Sequence, residues 1–474
     1  MSINIINKNI FRAYDIRGIY PKEIDEKTAE LAGFYYPLFL LGNGVSKLKK
    51  RRRLTIFISR DARPSSPKLF AALKKGLLKS GAKIIDGGMT TTPMHYFCVN
   101  KTKADGGLMI TASHQPAKYN GIKMTRRKAI PVSGEELLEF LEKQKTANLD
   151  APRPSEEKIV KKDFQKEYGE FLLGAAKFPS ARGESASGGK KPAKKLKIAA
   201  DTGNGMAGLI LRDLLKKLPV KFSILFEKPD CSFPNHEANP IKYETLAALK
   251  KEIKKQKADL GMAFDGDGDR VIFLNSKGEP IRPDLTLGLL ASEYLKKRKG
   301  LKIVYDVRAS KIVPETIKKL GGVPLKCRVG HKFFKNLLRE QGVFFGGELS
   351  GHYYFKKFFN ADSALFASLE ILKIIISKNK SLEELISPFQ KYFHSGELNF
   401  KIADKEKTMK EIKKRFKSGK LKETDGLTIE FPDWWFNLRP SANEPLLRLN
   451  IEARTRKILN SKTKLLAEIL KKIK

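Results

Sequence analysis

"RLTIFISRDARPSS", residues 53–66, is a basic lead-in, a β-branched apolar run, an acid where the run stops, and a turn opening onto helical periodicity. The spacing predicts strand, loop and helix. The same order recurs as "KLKIAADTGNGMAG" (195–208) and "LKIVYDVRASKIV" (301–313), each followed by an amphipathic helix. Strand, loop, helix and strand make a βαβ unit, so three copies predict three similar α/β domains with mixed, largely parallel sheets. Downstream of each copy a further strand runs into a polar loop: "GGLMITASHQP" (106–116), "LGMAFDGDGDR" (260–270) and "GVFFGGELSGH" (342–352). Loops leaving strand ends of open α/β sheets are where such folds bind ligands.

From about Ser395 the pattern changes to "GELNFKI", a helical "KEKTMKEIKKRFK", the strands "GLTIEF", "WWFNLRPS" and "LLRLNIEA", and a last helix. That order predicts a fourth, α+β domain. The domains are placed at 1–157, 158–281, 282–392 and 393–474. The turn-rich "ANLDAPRPSEEK" (147–158) reads as a boundary and "KFPSARGESASGGKKPAKK" (177–195) as a mobile loop.

The 474 residues suffice for three or four domains, and 41% hydrophobic residues can build ordinary cores. "MSINIINKNIFRAYDIRG" (1–18) lacks a signal peptide's apolar core, and "LAGFYYPLFLLG" (31–42) is too short to span a bilayer. Three cysteines without a CxxC suggest neither a disulfide framework nor a zinc site. A cytoplasmic protein is expected. Lys and Arg number 93 against 52 Asp and Glu, a formal charge of +41 that would draw polyanions and steer small anions into a cleft. The lysines are scattered over helix faces such as "KKEIKKQK" (250–257), and no RNA- or DNA-binding motif accompanies them, so a solvated basic surface is the expectation.

Four stretches carry chemistry. In "TASHQP", Ser113 and His114 are adjacent, and neighbours in extended chain point to opposite faces, which argues against a nucleophile–base pair. "DGDGDR" alternates Asp265, Asp267 and Asp269 with glycine, so three carboxylates can surround one hard cation. It is no EF-hand, because the sixth and twelfth loop positions are Arg270 and Ser276 and the flanks "GMAF" and "VIFL" read as strands. Open coordination positions suit Mg²⁺ shared with a phosphate. "RPSANEPLLR" (439–448) offers Arg439, Ser441, Asn443 and Arg448 round a turn, a phosphate clamp by composition. "GGELSGHYYF" (346–355) pairs an acid, a hydroxyl and a histidine, as needed to hold neighbouring sugar hydroxyls. Against these stands "GNGMAG" (203–208), a G-x-G-x-x-G between strand and helix with Glu227 after the next strand. It reads either as a dinucleotide site or as a tight, closely packed turn.

Taken in order, "FRAYDIRG" (11–18), "TASHQPAKYNGIK" (111–123), "DGDGDR", "VGHKFF" (329–334), "GELSGH" (347–352) and "RPSANEPLLRLNIEA" (439–453) resemble the α-D-phosphohexomutases, most closely the phosphomannomutase/phosphoglucomutase branch. The resemblance implies four domains around a central cleft, and Mg²⁺-dependent interconversion of hexose 6- and 1-phosphates of mannose or glucose. It implies a phosphate carried on Ser113 and a hexose 1,6-bisphosphate intermediate. Carried over residue by residue, Asp265, Asp267 and Asp269 are metal ligands with Ser113. Glu348 and Ser350 hold sugar hydroxyls, and Arg439, Ser441 and Asn443 hold the non-reacting phosphate, with Arg448 beside them. Tyr14, Arg17, Lys123, Arg270, His331 and His352 match further cleft positions, including candidate acids and bases. Gln115 stands where the family usually has asparagine, and Asn443 where it usually has threonine. A leucine between Glu348 and Ser350 looks nearer the mannose/glucose branch than the glucosamine branch. The partner expected is a phosphosugar, for a monomer or weak dimer without specific nucleic acid or membrane. A phosphoglucosamine mutase, a dinucleotide-binding oxidoreductase and a non-catalytic nucleic-acid-binding protein are the alternatives.

Overall fold

The structure, a computed structural model, describes residues 7–42, 53–144, 159–178, 195–441 and 446–473. The predicted boundary and loop at 147–158 and 177–195 fall almost wholly outside them. The chain divides into two compact units, Met1–Ile281 with Gly351–Ser381, and Arg282–Ser350 with Leu382–Lys474.

The first unit holds two sheets. One contains β1 (Ile16–Ile19), β2 (Thr55–Arg60), β3 (Lys83–Met89), β4 (Gly106–Ile110), β5 (Tyr119–Arg126), β6 (Ile130–Val132) and β7 (Ile159–Lys161), in the order β1-β5-β4-β2-β3-β7 with β6 on β5. Strands β4, β2, β3 and β7 run parallel; β5 is antiparallel to β1, β4 and β6. β7 joins this sheet although it follows position 157. The other contains β8 (Leu196–Asp201), β9 (Val220–Leu225), β10 (Leu260–Phe264) and β11 (Val271–Leu274), ordered β11-β10-β8-β9, with only the β10–β11 pair antiparallel. In the second unit β12 (Lys302–Asp306) pairs in parallel with β13 (Val323–Cys327) and with β14 (Phe345–Gly347). The chain returns to the first unit for the antiparallel β15 (Tyr353–Phe355) and β16 (Ala361–Asp362). It ends in the second with an antiparallel sheet of β17 (Phe393–Lys401), β18 (Lys420–Lys422), β19 (Leu427–Glu430), β20 (Trp434–Pro440) and β21 (Leu446–Ala453). Helices Lys405–Arg415 and Arg456–Lys472 accompany that sheet, as the tail's alternation predicts.

All three copies of the repeat build the same local structure. β2, β8 and β12 are each followed by a helix, at Ser66–Lys79, Gly208–Lys216 and Ile312–Lys319. Each also pairs in parallel with the downstream strand that carries a polar loop, β4, β10 or β14. The middles of these strands are apolar because both faces are covered; Ile56, Phe57 and Ile58 of β2 are fully buried. The acid ending each strand caps the turn. Asp61 Oδ1 accepts the Arg63 amide at 3.0 Å, Asp201 Oδ1 the Gly203 amide at 2.8 Å, and Asp306 Oδ1 the Arg308 amide at 2.7 Å. The second oxygen faces a basic side chain: Arg63 Nε at 3.1 Å, His236 Nε2 at 3.0 Å and Arg308 Nη2 at 2.7 Å respectively.

The glycine motif at 203–208 is a packing device, and the dinucleotide reading gives way. Its amides point inward, from Gly203 to Asp201, Asn204 to Phe226 O (2.9 Å), Gly205 to Thr202 O (2.7 Å) and Met206 to Gly266 O (2.8 Å). These donors are spent on the protein's own oxygens, where a dinucleotide site needs them for pyrophosphate. Glu227 is paired with Arg212 (Nε to Oε1 2.6 Å). A Cβ at Gly208 would lie 1.8 Å from Glu227 O, so only glycine lets the helix approach the segment after β9 this closely. Gly208→Ala is therefore expected to destabilise by about 1–3 kcal/mol in urea unfolding. Gly174→Ala, in the exposed last turn of the helix Gln165–Ala176 with nothing within 4 Å, should instead gain up to about 1 kcal/mol.

Candidate active site

Ser113 follows β4 by three residues, and its backbone is left-handed, with φ +54°. That twist overturns the expectation that Ser113 and His114 point apart, because the two-fold alternation holds only in extended chain. Ser113 Oγ lies 3.2 Å from His114 Nδ1 and donates to Asp265 Oδ2 at 3.2 Å. Burial, then Arg270 and Arg17, hold the His114 pKa well below its ordinary value, so the ring beside the hydroxyl is neutral.

The metal loop closes onto this serine. Asp265, Asp267 and Asp269 are buried, and one oxygen from each lies within 4.8 Å of the others. Asp265 Oδ1 accepts the amides of Asp269 and Arg270, both at 3.1 Å. A Cβ at Gly266 would lie 2.5 Å from Ser113 O, so the absence of a side chain there lets the two loops touch. Thr92 donates to Asp267 Oδ2 at 2.6 Å from the start of the helix Thr92–Lys101, whose amide end favours an anion. Lys123, from β5, donates to Asp267 Oδ2 (2.7 Å) and Asp269 Oδ2 (3.0 Å). Arg270 Nε is 3.5 Å from Asp265 and 3.8 Å from Asp269.

The charges explain one another. Burial works against the Lys123 ammonium, yet Asp267 and Asp269 raise its pKa well above normal. Burial would raise Asp269 too, but Lys123 and then His352 hold it at about 2. Asp267 is likewise lowered, Lys123 overriding burial and the Asp269 charge. Asp265 alone is pushed well up, by burial and by its two neighbours. Three carboxylates thus face two cations, and Asp267 Oδ1 and Asp269 Oδ1 are buried with no hydrogen-bond partner. Orphaned hard-oxygen acceptors with uncompensated charge fit a divalent cation such as Mg²⁺.

His352 supports Arg270. Arg270 Nε donates to His352 Nε2 at 3.0 Å, which places the ring proton on Nδ1, 2.9 Å from Asp362 Oδ2. Arg17 pairs with Asp15 and keeps a buried, unpartnered Nε; Tyr14 is half-buried just upstream.

In the second unit Glu348, 3% exposed, accepts the Gly330 amide at 3.2 Å, one residue before His331 opens its helix. Ser350 Oγ is buried without a partner. Arg439 Nη2 and Arg448 Nη1 reach the two oxygens of Glu397 at 3.3 and 3.1 Å, and Arg308 Nη1 joins Arg439 on Oε2 at 3.3 Å. Burial would raise Glu397, but Arg308, Arg448 and Arg439 hold its pKa low. The Nε atoms of Arg308 and Arg439 are buried with no acceptor. Ser441 is buried, its amide on Leu446 O at 2.9 Å; Asn443 lies outside the described residues. Thr92, Asp362, Arg308 and Glu397 escaped the sequence reading. Arg308 was signalled by the repeat, since "DVR" matches "DAR" in the first copy.

Models of the phosphoglucomutase/phosphomannomutase α/β/α domains I, II and III match residues 8–148, 180–278 and 282–392, and that of the C-terminal domain matches 397–469. The phosphomannomutase of Methanocaldococcus jannaschii is 38% identical over 475 residues, 98% of either chain. The chain belongs to the phosphoglucomutase/phosphomannomutase family. Phosphohexose mutases of Xanthomonas campestris pv. campestris (strain B100) are 36% identical over 97% of this chain and 99% of theirs. The crystal structure of a family protein from Burkholderia thailandensis superposes with TM-score 0.84 at 29% identity, covering 98% of each chain. As a member of this family the protein is a hexose phosphate mutase, an isomerase that works by phosphotransfer. Among the described residues no helix is long and apolar enough to cross a membrane.

Three outcomes follow from the charges. Asp265→Asn removes the most strained carboxylate. The metal-free variant should be more stable than the native chain, by a margin that grows as pH rises above the ordinary carboxylate range. There the native fold would otherwise retain a proton that the unfolded chain releases. Mg²⁺ at about 100 times its dissociation constant should stabilise the native chain by about 2.7 kcal/mol, and the variant far less, in thermal melts. Glu397→Gln frees three guanidiniums and should tighten inorganic phosphate roughly tenfold by calorimetry.

Proposed function

We propose that the protein interconverts the 6- and 1-phosphates of mannose and glucose, with Ser113 as phosphate carrier. The observation that carries this reading is the Ser113 hydroxyl 3.2 Å from a buried aspartate trio. A serine cannot keep a phosphate of about −1.5 to −2 charge among three aspartates unless cations sit with it. Asp265, Asp267 and Asp269, with the phosphoserine, would hold a Mg²⁺, which when bound would supply positive charge to the phosphoryl oxygens.

The remaining work belongs to the chain. In the first half-reaction the C1 hydroxyl of a hexose 6-phosphate attacks phosphorus, its proton passes to a base, and the P–O bond to Ser113 breaks. The bisphosphate then turns round. Ser113 Oγ attacks the 6-phosphate, the P–O6 bond breaks, the sugar oxygen takes a proton, and the 1-phosphate leaves with the serine rephosphorylated. Lys123, Arg270 and Arg17 supply positive charge for the equatorial oxygens, where preorganised donors act most strongly. The serine oxygen takes a proton as its bond to phosphorus breaks and gives it up again when it attacks, with His114 Nδ1 3.2 Å away as a hydrogen-bond partner. Glu348 and Ser350 hold sugar hydroxyls. Arg439, Arg448 and Ser441, with Asn443 in the same loop and Arg308 on the shared glutamate, hold the phosphate that is not reacting.

A coupled assay with mannose 6-phosphate or glucose 6-phosphate, primed with glucose 1,6-bisphosphate and Mg²⁺, tests the reading. Ser113→Ala should lose at least about a thousandfold in kcat and its covalent phosphate by intact mass. A wild-type protein inactive on both sugars, or faster on glucosamine 6-phosphate, would refute the sugar assignment.

A further inference from the structure

The motif "RDARPSS", which set the fold, contains a charge that the reaction scheme leaves unused. Arg63 is 1% exposed, and its side chain is among the largest that are fully buried. A guanidinium has five N–H donors, and all five are matched here. Nε donates to Asp61 Oδ2 at 3.1 Å. Nη1 donates to the carbonyls of Pro116 (2.8 Å) and Tyr119 (2.9 Å), and Nη2 to those of Ser113 (2.8 Å) and Gln115 (2.7 Å). The loop 113–119 is wrapped round one planar cation. The Phe233 ring lies against that cation, 5.3 Å from centroid to Cζ, and helps shut out water.

We propose that Arg63 is a positioning residue for phosphoryl transfer, holding Ser113 Oγ in place through the loop's main-chain carbonyls. The Ser113 carbonyl lies between Arg63 Nη2 and Gly266 of the metal loop. Fixing that carbonyl fixes the peptide plane of a serine whose φ is +54°, a conformation an unrestrained serine rarely keeps. In that conformation the hydroxyl meets Asp265. Arg63 reads the carbonyl of residue 115, so this contact does not depend on the Gln115 side chain. Lysine cannot substitute, because its ammonium has three donors on a point charge where four carbonyls and a carboxylate need five. The inference rests on Ser113 being the phosphate carrier.

The test uses the full chain with Mg²⁺ and glucose 1,6-bisphosphate, comparing wild type, Arg63→Lys and Arg63→Ala. Both variants should fold, by circular dichroism. Their kcat should fall about a hundredfold, the effect of displacing a reacting group by an ångström, while KM for glucose 6-phosphate changes less than threefold. Single-turnover transfer from phosphorylated protein to glucose 6-phosphate should slow in proportion. Guanidinium chloride at millimolar concentration should restore Arg63→Ala at least tenfold, and methylammonium chloride of equal charge should not. A kcat within threefold of wild type in Arg63→Lys overturns the proposal. So does equal rescue by both cations, or failure of both variants to fold, which would make Arg63 a folding requirement. Phosphate retained covalently in Ser113→Ala would instead remove the carrier reading itself.

Discussion

Three aspartates buried in one five-residue turn repel one another, and the architecture of the first unit answers that repulsion. At an effective dielectric of about 20, each like-charged pair at 4 Å costs about 4 kcal/mol, comparable to a large fraction of a domain's net stability. The loop is tolerable because three neighbours converge on it: Lys123 from β5, Arg270 from its own end, and the helix beginning at Thr92. Arg270 is in turn held by His352, and His352 by Asp362, so the response reaches β16, more than ninety residues along the chain. A cation-seeking site next to a serine hydroxyl is what remains once these neighbours have done what they can.

The scaffold beneath is one device used three times. A parallel strand ends in an aspartate, one oxygen of which caps the turn while the other takes a basic group. The neighbouring strand then delivers a loop at the same edge of the sheet: serine in the first copy, aspartates in the second, glutamate in the third. The basic partner is where the copies diverge. Arg63 grasps the serine loop, His236 merely neutralises Asp201, and Arg308 reaches past Asp306 to Glu397.

Much of this was legible from residue order. The three βαβ copies, the antiparallel-rich tail and the aspartate loop follow from period and composition, which local sterics and burial enforce. What escaped is non-local. Glu397 is an unremarkable alternating residue of a half-exposed strand, and its meaning depends on three arginines 42 to 89 positions away. Asp362 sits in a two-residue strand, too short for any periodicity. The Ser113–His114 expectation failed because one residue with positive φ cancels the alternation rule, and nothing in "TASHQP" announces that twist. The glycine motif left two readings open, because close packing and pyrophosphate binding both demand glycine and only the direction of the amides separates them.

The single glutamate among three arginines bears on timing as well as strength. A catalyst that must hand one molecule back to itself in reversed orientation faces opposite demands, since too loose a hold loses the traveller to solvent and too firm a hold forbids it to tumble. Under the proposed clamp, an anionic side chain resting where a phosphate would arrive would make departure an exchange, with the arginines never left bare. Residence time there would then be set by how readily one carboxylate swings back.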